Sequence, residues 1–244
     1  LVGSEMCIRD SLKDLSDKDM IIEAVFEELE VKKSVFSQLN DIAKEGAVLA
    51  SNTSYLDIDK IASATDRVGD VIGLHFFSPA NIMRLLEIVV PTNVKDDVVA
   101  TGFQLAKILK KVPVRAGNCD GFIGNRVLEN YAKAANYMME DGTSPYDIDK
   151  AIVEFGYPMG PFQMFDLAGG DIGWADRKRK AAFRSNEERY VSIADRICEK
   201  GWFGQKTGRG YYKYTPGARR GEEDPEVLSI CLLYTSDAAD DDAC

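Results

Sequence analysis

The sequence holds one histidine, His75, placed where the apolar stretch Val71-Ile72-Gly73-Leu74 gives way to Phe76-Phe77-Ser78-Pro79. Nearby, Glu87 is the lone carboxylate inside the apolar run Leu85-Leu86-Glu87-Ile88-Val89-Val90. An imidazole's ordinary pKa, about 6.5, suits proton transfer near neutrality. A carboxylate buried in an apolar strand is costly unless it is paired or hydrogen-bonded, and His75 is its nearest sensible partner. A carboxylate that fixes an imidazole's tautomer and supports its protonated form is a recurrent general-base arrangement. Each residue also has a plainer reading. A histidine among aromatics can be structural, and a glutamate at this position can lie on the solvent face of an edge strand.

Four other segments draw attention. Ser51-Asn52-Thr53-Ser54 follows a short apolar strand; such short hydroxyl and amide groups can bind a nicotinamide or a substrate oxygen without bringing charge. Equally, they are good turn and cap formers ahead of Asp57. The stretch Gly117-Asn118-Cys119-Asp120-Gly121-Phe122-Ile123-Gly124-Asn125-Arg126 has G-x-x-x-G-x-x-G spacing and leads into a long helix. It therefore lacks the GxGxxG turn of a dinucleotide-binding βαβ unit and reads as a closely packed helix start with Asn125 facing a cleft. The basic cluster Arg177-Lys178-Arg179-Lys180 reads first as a solvated face and second as a contact for a ligand's phosphates. The glycine-rich stretch from Gly201 to Tyr212 lacks Walker spacing and reads as a structured loop pinned by aromatics.

The elements that must position these groups follow from the apolar pattern. Residues 20–25 form a run too short for a helix and typical of a strand buried on both faces. A helix is expected over 28–44, with Val31, Val35, Leu39 and Ile42 on one face and Gly46 after its end. Strand 47–50, a helix near 57–64 capped by Asp57, strand 71–75, strand 85–90, helix 96–110 and strand 111–115 complete the first part. Strands alternating with helices imply an open, largely parallel sheet covered by helices. The short lead before residue 20 leaves no room for a strand, glycine-rich turn and helix. The expected fold is therefore α/β followed by all-α: the C-terminal half of a Rossmann-type doubly wound sheet, without its first βαβ unit, then a helical domain beginning near residue 117. A long helix over 120–141 opens that second part, and Ser144-Pro145 starts the next helix with proline in its first turn. No strand is expected from there to Lys213.

Composition narrows the function classes. The 244 residues carry 30 Lys+Arg against 40 Asp+Glu, a formal charge of −10. The acid is concentrated toward the C-terminal end, and no net basic footprint for nucleic acid exists. No apolar run approaches the roughly 20 residues of a membrane helix. Five scattered cysteines without a CxxC pair speak against a zinc site or a disulfide framework, so no metal is expected and a reducing, intracellular setting is the default. Residues 1–11 and 231–244 continue no periodicity of the body and are expected to be non-native, adapter-like sequence or disordered tails.

Taken in order, IIEAVFEELEVKKSVF, ASNTSYLDI, GLHFFSPANIMRLLEIV, GNCDGFIGNR, GYPMGPFQMFDLAG and FGQKTGRGYY make the chain resemble the L-3-hydroxyacyl-CoA dehydrogenase family. The resemblance is greatest to the dehydrogenase part of bifunctional enoyl-CoA hydratase/3-hydroxyacyl-CoA dehydrogenases of fatty-acid β-oxidation. It implies that residues 12–116 are a partial NAD-binding domain and 117–214 the helical C-terminal domain. It also implies an activity: oxidation of L-3-hydroxyacyl-CoA to 3-oxoacyl-CoA with NAD as cofactor. His75 would be the general base and Glu87 its support; Ser54 and Asn125 would bind the reacting end of an acyl-CoA thioester. Ala24, Glu27, Lys32 and Asn52 would line the NAD site. Ser78 stands where many single-function members have asparagine, as in the bifunctional branch. The resemblance further implies a homo-oligomer or a part of a multifunctional enzyme, located in the cytoplasm or, in a eukaryote, the peroxisome. A fragment with little activity alone is the expectation for these residues, the alternative being a non-catalytic CoA-ester-binding or oligomerisation module.

Overall fold

The computed structural model describes residues 11–217 and 220–240, with side chains through Leu232. The chain falls into two compact units that divide between Val127 and Leu128.

In the first unit, β1 (Met20–Glu23), α1 (Leu29–Ile42), β2 (Val48–Ser51), α2 (Ile58–Ala62), β3 (Val71–Phe76), β4 (Leu85–Val90), α3 (Asp96–Ile108) and β5 (Val112–Gly117) follow in order. The sheet runs β1-β2-β3-β4-β5. Neighbours are parallel except β3 and β4, which pair antiparallel with His75 opposite Glu87. Every residue of β2 is buried, as are the first five of β3, which explains the apolar runs Val48-Leu49-Ala50 and Val71-Ile72-Gly73-Leu74. Phe36 and Leu39 of α1 join Ile58 and Ile61 of α2 on one side of the sheet, while Val98 and Ala106 of α3 pack with Ile72, Leu74 and Ile88 on the other.

Boundaries shift by a few residues from the expected ones, each for a local reason. β1 stops at Glu23 because the Val25 N–H turns to the Glu23 carboxylate, at 2.5 Å. Asp57 caps α2, accepting from Asp59 N at 2.9 Å, as its sequence position indicates. The helix expected from residue 120 begins instead at Gly124, since Gly121 (φ 69°) and Phe122 (φ 46°) are left-handed and interrupt helical geometry.

The second unit is helical: the rest of α4 (Gly124–Glu140), then α5 (Pro145–Phe155), α6 (Pro161–Ala168), α7 (Gly170–Ala181), α8 (Ile193–Glu199) and α9 (Pro225–Asp240). Ser144 caps α5 through Tyr146 N, and Pro145 occupies its first turn. Contrary to the expectation of no strand, β6 (Tyr212–Lys213) pairs antiparallel with β7 (Glu222–Glu223). Two buried carboxylates organise this unit. Asp149 accepts from Phe162 N and Gln163 N, both at 2.9 Å, and from Tyr212 OH at 2.8 Å. Asp166 accepts from Tyr211 N and Tyr212 N, both at 2.9 Å, and from Tyr214 OH at 3.0 Å. A Cβ on Gly210 would lie 2.0 Å from Asp166 Oδ1, so only glycine fits there. The motifs GYPMGPFQMFDLAG and FGQKTGRGYY are thereby explained as packing devices. Cys231, inside the expected tail, is buried in the core of this unit with Val227 and Ile230; residues 1–10 and 241–244 lie outside the described residues.

Candidate active site

His75 sits near the end of β3, where the strand hands over to the Phe76-Phe77 pair. Antiparallel pairing sets it directly across from Glu87 in β4, and both side chains are buried, at 5% and 1% exposure. His75 Nδ1 lies 2.6 Å from Glu87 Oε2. The other oxygen, Oε1, accepts from Ile123 N at 3.0 Å and Gly124 N at 2.8 Å, at the start of α4. Glu87 is therefore neither at an edge nor in solvent, since β4 lies between β3 and β5. Burial alone would raise its pKa; the His75 hydrogen bond and the two backbone N–H groups outweigh that, and the carboxyl ends below its ordinary value of 4.5. An ionised carboxylate can only accept hydrogen bonds, so the proton in this contact belongs to His75 Nδ1, which in the neutral imidazole leaves the lone pair on Nε2. That is the tautomer of a general base.

The loop that delivers the two N–H groups is held from several sides. Left-handed backbone at Gly121 and Phe122 turns the chain so that successive N–H groups converge on one oxygen. Phe122, buried, places its ring 5.7 Å from that of His75, and Phe77 lies 4.4 Å away. Asn118 ties the same loop to α2: its Oδ1 accepts from Ile58 N, and its Nδ2 donates to Asp57 Oδ1 and Asp59 Oδ2. The loop's N–H groups thus serve Glu87, which accounts physically for its not being a phosphate cradle.

Of the remaining expected residues, Asn125, Ser54, Glu27 and Lys32 form a second connected set, Asn52 bonds the backbone beside His75, and Ala24 makes no polar side-chain contact. Asn125 Nδ2 donates to Ser54 O at 3.3 Å. Ser54 N donates to Glu27 Oε1 at 2.8 Å, as does Thr53 Oγ1 at 2.5 Å. Glu27 Oε2 lies 3.3 Å from Lys32 Nζ. Asn52 Oδ1 accepts from Phe76 N, one residue past His75. Ala24 is exposed at the end of β1, between Glu23 and Val25. The turn reading of Ser51–Ser54 holds as well, for Thr53 Oγ1 accepts from Leu56 N. Sequence reasoning missed the roles of Glu23, Asn118 and Phe122. Glu23 offered the same signal as Glu87, a lone carboxylate within an apolar run; Phe122 offered none.

Oxidised NAD carries a cationic nicotinamide, and the groups here suit that end of it. Glu23 and Glu27 share the single ammonium of Lys32, leaving the cluster net negative. Asn52 Nδ2 adds amide donors without a partner among the described residues. The basic cluster of α7 is engaged locally: Arg177 pairs with Asp195, Arg179 with Asp176, Lys180 with Glu129 and Asp176, and Lys178 lies over Trp174. Among the described residues no cluster of His, Cys, Asp and Glu could hold a metal, and no helix is long and apolar enough to cross a membrane.

Comparison with known proteins gives the family. Residues 3–119 match the family description "3-hydroxyacyl-CoA dehydrogenase, NAD binding domain" and residues 121–214 match "3-hydroxyacyl-CoA dehydrogenase, C-terminal domain". The first match begins within the leader set aside on periodicity. The peroxisomal bifunctional enzyme of Cavia porcellus is 48% identical over 236 residues, covering 92% of this chain and 32% of that protein. The chain thus spans about a third of the length of that relative. Among solved structures, M. tuberculosis FadB2 is similar with a TM-score of 0.78 at 37% identity, over 84% of this chain and 74% of that one. The (S)-3-hydroxybutyryl-CoA dehydrogenase PaaH1 from Ralstonia eutropha gives 0.76 at 33%, over the same shares. With its buried histidine–glutamate pair and both family segments in order, the chain belongs to the 3-hydroxyacyl-CoA dehydrogenase family.

Proposed function

We propose that these residues form the proton-transfer part of an NAD-dependent dehydrogenase that oxidises L-3-hydroxyacyl-CoA to 3-oxoacyl-CoA in fatty-acid β-oxidation. The observation that carries this reading is the His75 Nδ1–Glu87 Oε2 contact of 2.6 Å between two buried side chains. Bound NAD supplies the hydride acceptor for the hydrogen on substrate C3. His75 Nε2 takes the proton of the 3-hydroxyl, and the imidazolium so formed keeps its Nδ1–H on Glu87. Glu87 stays ionised throughout because two backbone N–H groups hold its other oxygen. Ser54 and Asn125, joined by a hydrogen bond, orient the oxygen-bearing end of the acyl group. Ala24, Glu27 and Asn52 face the nicotinamide side, with Lys32 beneath them.

The peroxisomal bifunctional relatives support a setting within a multifunctional β-oxidation enzyme, in the peroxisome of a eukaryotic cell. Self-association through the second unit belongs to the same reading. The test is NADH production from a 3-hydroxyacyl-CoA by these 244 residues and by a chain lengthened with its upstream codons. The lengthened chain should turn over, the 244 residues alone little, and His75→Gln should abolish roughly 10²–10⁴-fold of the activity. Unchanged turnover in His75→Gln would overturn the assignment.

A further inference from the structure

Glu23 closes β1 and is buried, yet it touches none of the reacting groups assigned above. Both of its side-chain oxygens accept from neighbours. Oε1 accepts from Lys32 Nζ at 2.7 Å and Val25 N at 2.5 Å, and Oε2 accepts from Ser51 Oγ at 2.7 Å. Its backbone oxygen accepts from Asn52 N at 2.8 Å.

Lys32 is equally committed. An ammonium has three protons to donate, and three acceptors lie within reach of Nζ: Glu23 Oε1 at 2.7 Å, Val25 O at 3.2 Å and Glu27 Oε2 at 3.3 Å. Its side chain is 1% exposed, while that of Glu27 is 38% exposed. The third of these contacts, an ion pair, holds Glu27 in place. Glu27 Oε1 then collects Thr53 Oγ1, Ser54 N and Tyr55 N, at 2.5, 2.8 and 3.2 Å.

We propose that Glu23 is a positioning residue which, through Lys32, fixes Glu27 and with it the turn that presents Ser54. The inference deepens the dehydrogenase reading and rests on it for the importance of Ser54, but the mechanical linkage is independent of turnover. A buried ion pair is a poor source of net stability, because desolvation offsets most of its Coulomb attraction. Its geometry, fixing one exposed carboxylate over one turn, is better explained by placement.

The test is amide hydrogen exchange in the 244-residue chain, comparing Glu23→Gln, Lys32→Met and the double variant with the parent. Breaking either half of the pair should speed exchange at Ser54 and Tyr55 by about tenfold or more, with Leu49 and Ile72 in the sheet interior unchanged. The single variants bury an unpaired charge and can lose stability. The double variant removes both charges and keeps the test decisive should a single variant fail to fold. A positioning role requires that the double variant recover its unfolding midpoint while exchange at Ser54 and Tyr55 stays fast. Full recovery of protection at the turn would show that the pair is structural only and overturn the proposal. His75→Gln leaves this exchange untouched, so failure of the catalytic assignment and failure of this inference give different results.

Discussion

The ring of Phe77 fills the space that a Cβ on Gly124 would need: the built Cβ falls 2.6 Å from Phe77 Cζ and 3.7 Å from Glu87 Oε1. The same glycine donates its N–H to that carboxylate at 2.8 Å. That N–H, with those of Ile123 and His75, keeps Glu87 ionised against the burial to which the ring contributes. Gly124→Ala should cost about 1–3 kcal/mol by overpacking, read as a lowered urea midpoint. It should also move the Hε1 resonance of His75, which is unambiguous in a chain with one histidine. An unmoved resonance would show that Phe77 yields without disturbing the pair.

Glu87→Gln separates shape from charge. The amide matches the carboxylate in size but offers a single acceptor, which the N–H groups of Ile123 and Gly124 claim. Its NH₂ then faces Nδ1, forces the proton to Nε2 and leaves no base. Turnover of the lengthened, active chain should fall about 10²–10⁴-fold with KM little changed. A loss confined to KM would assign Glu87 to binding.

Acid should act oppositely on the two units. Glu87 has a lowered pKa in the folded state, so its contribution is present above 4.5 and is lost as pH falls through the lower folded value. Asp166 is pushed up to about 6 by burial, which the hydrogen bonds from Tyr211, Tyr212 and Tyr214 only partly oppose. The folded second unit therefore binds this proton more tightly than the unfolded chain does. Its contribution is full below 3.8 and is lost as pH rises through about 6. Between pH 7 and 5 the second unit should gain about 1 kcal/mol. Both tryptophans, Trp174 and Trp202, lie in that unit, and it contains no histidine. The urea midpoint by tryptophan fluorescence should thus rise on mild acidification; a fall would contradict the Asp166 assignment.

Much of the first unit was legible because its signals are local. The unbroken apolar run at residues 71–74 marks a strand buried on both faces, and β3 is one. Asp57 and Ser144 announce helix starts by capping chemistry, and both cap. The left-handed Phe122 was not legible, because a buried aromatic gains nothing locally from that backbone and the conformation costs about 1–3 kcal/mol. Burial of the Phe122 ring in the core and the convergence of the Ile123 and Gly124 N–H groups on Glu87 offset it. The strand at Tyr212–Lys213 was hidden for a related reason: its two residues pair with a segment past a turn, leaving no periodicity to read.

What the amino-acid order determined by itself was the set of chemical groups and the elements that carry them: one imidazole at a strand end, one carboxylate in an apolar strand, and polar turns between strand and helix. Those follow from burial and periodicity, which act over a few residues. Tertiary structure alone decided the pairings. The antiparallel register of β3 against β4 put Nδ1 within 2.6 Å of Oε2. The packing of α4's first turn chose which oxygen remained for the histidine, and a buried lysine chose where Glu27 would stand. Such choices are made by long-range contacts, whose energies depend on desolvation and geometry that no single stretch of chain contains.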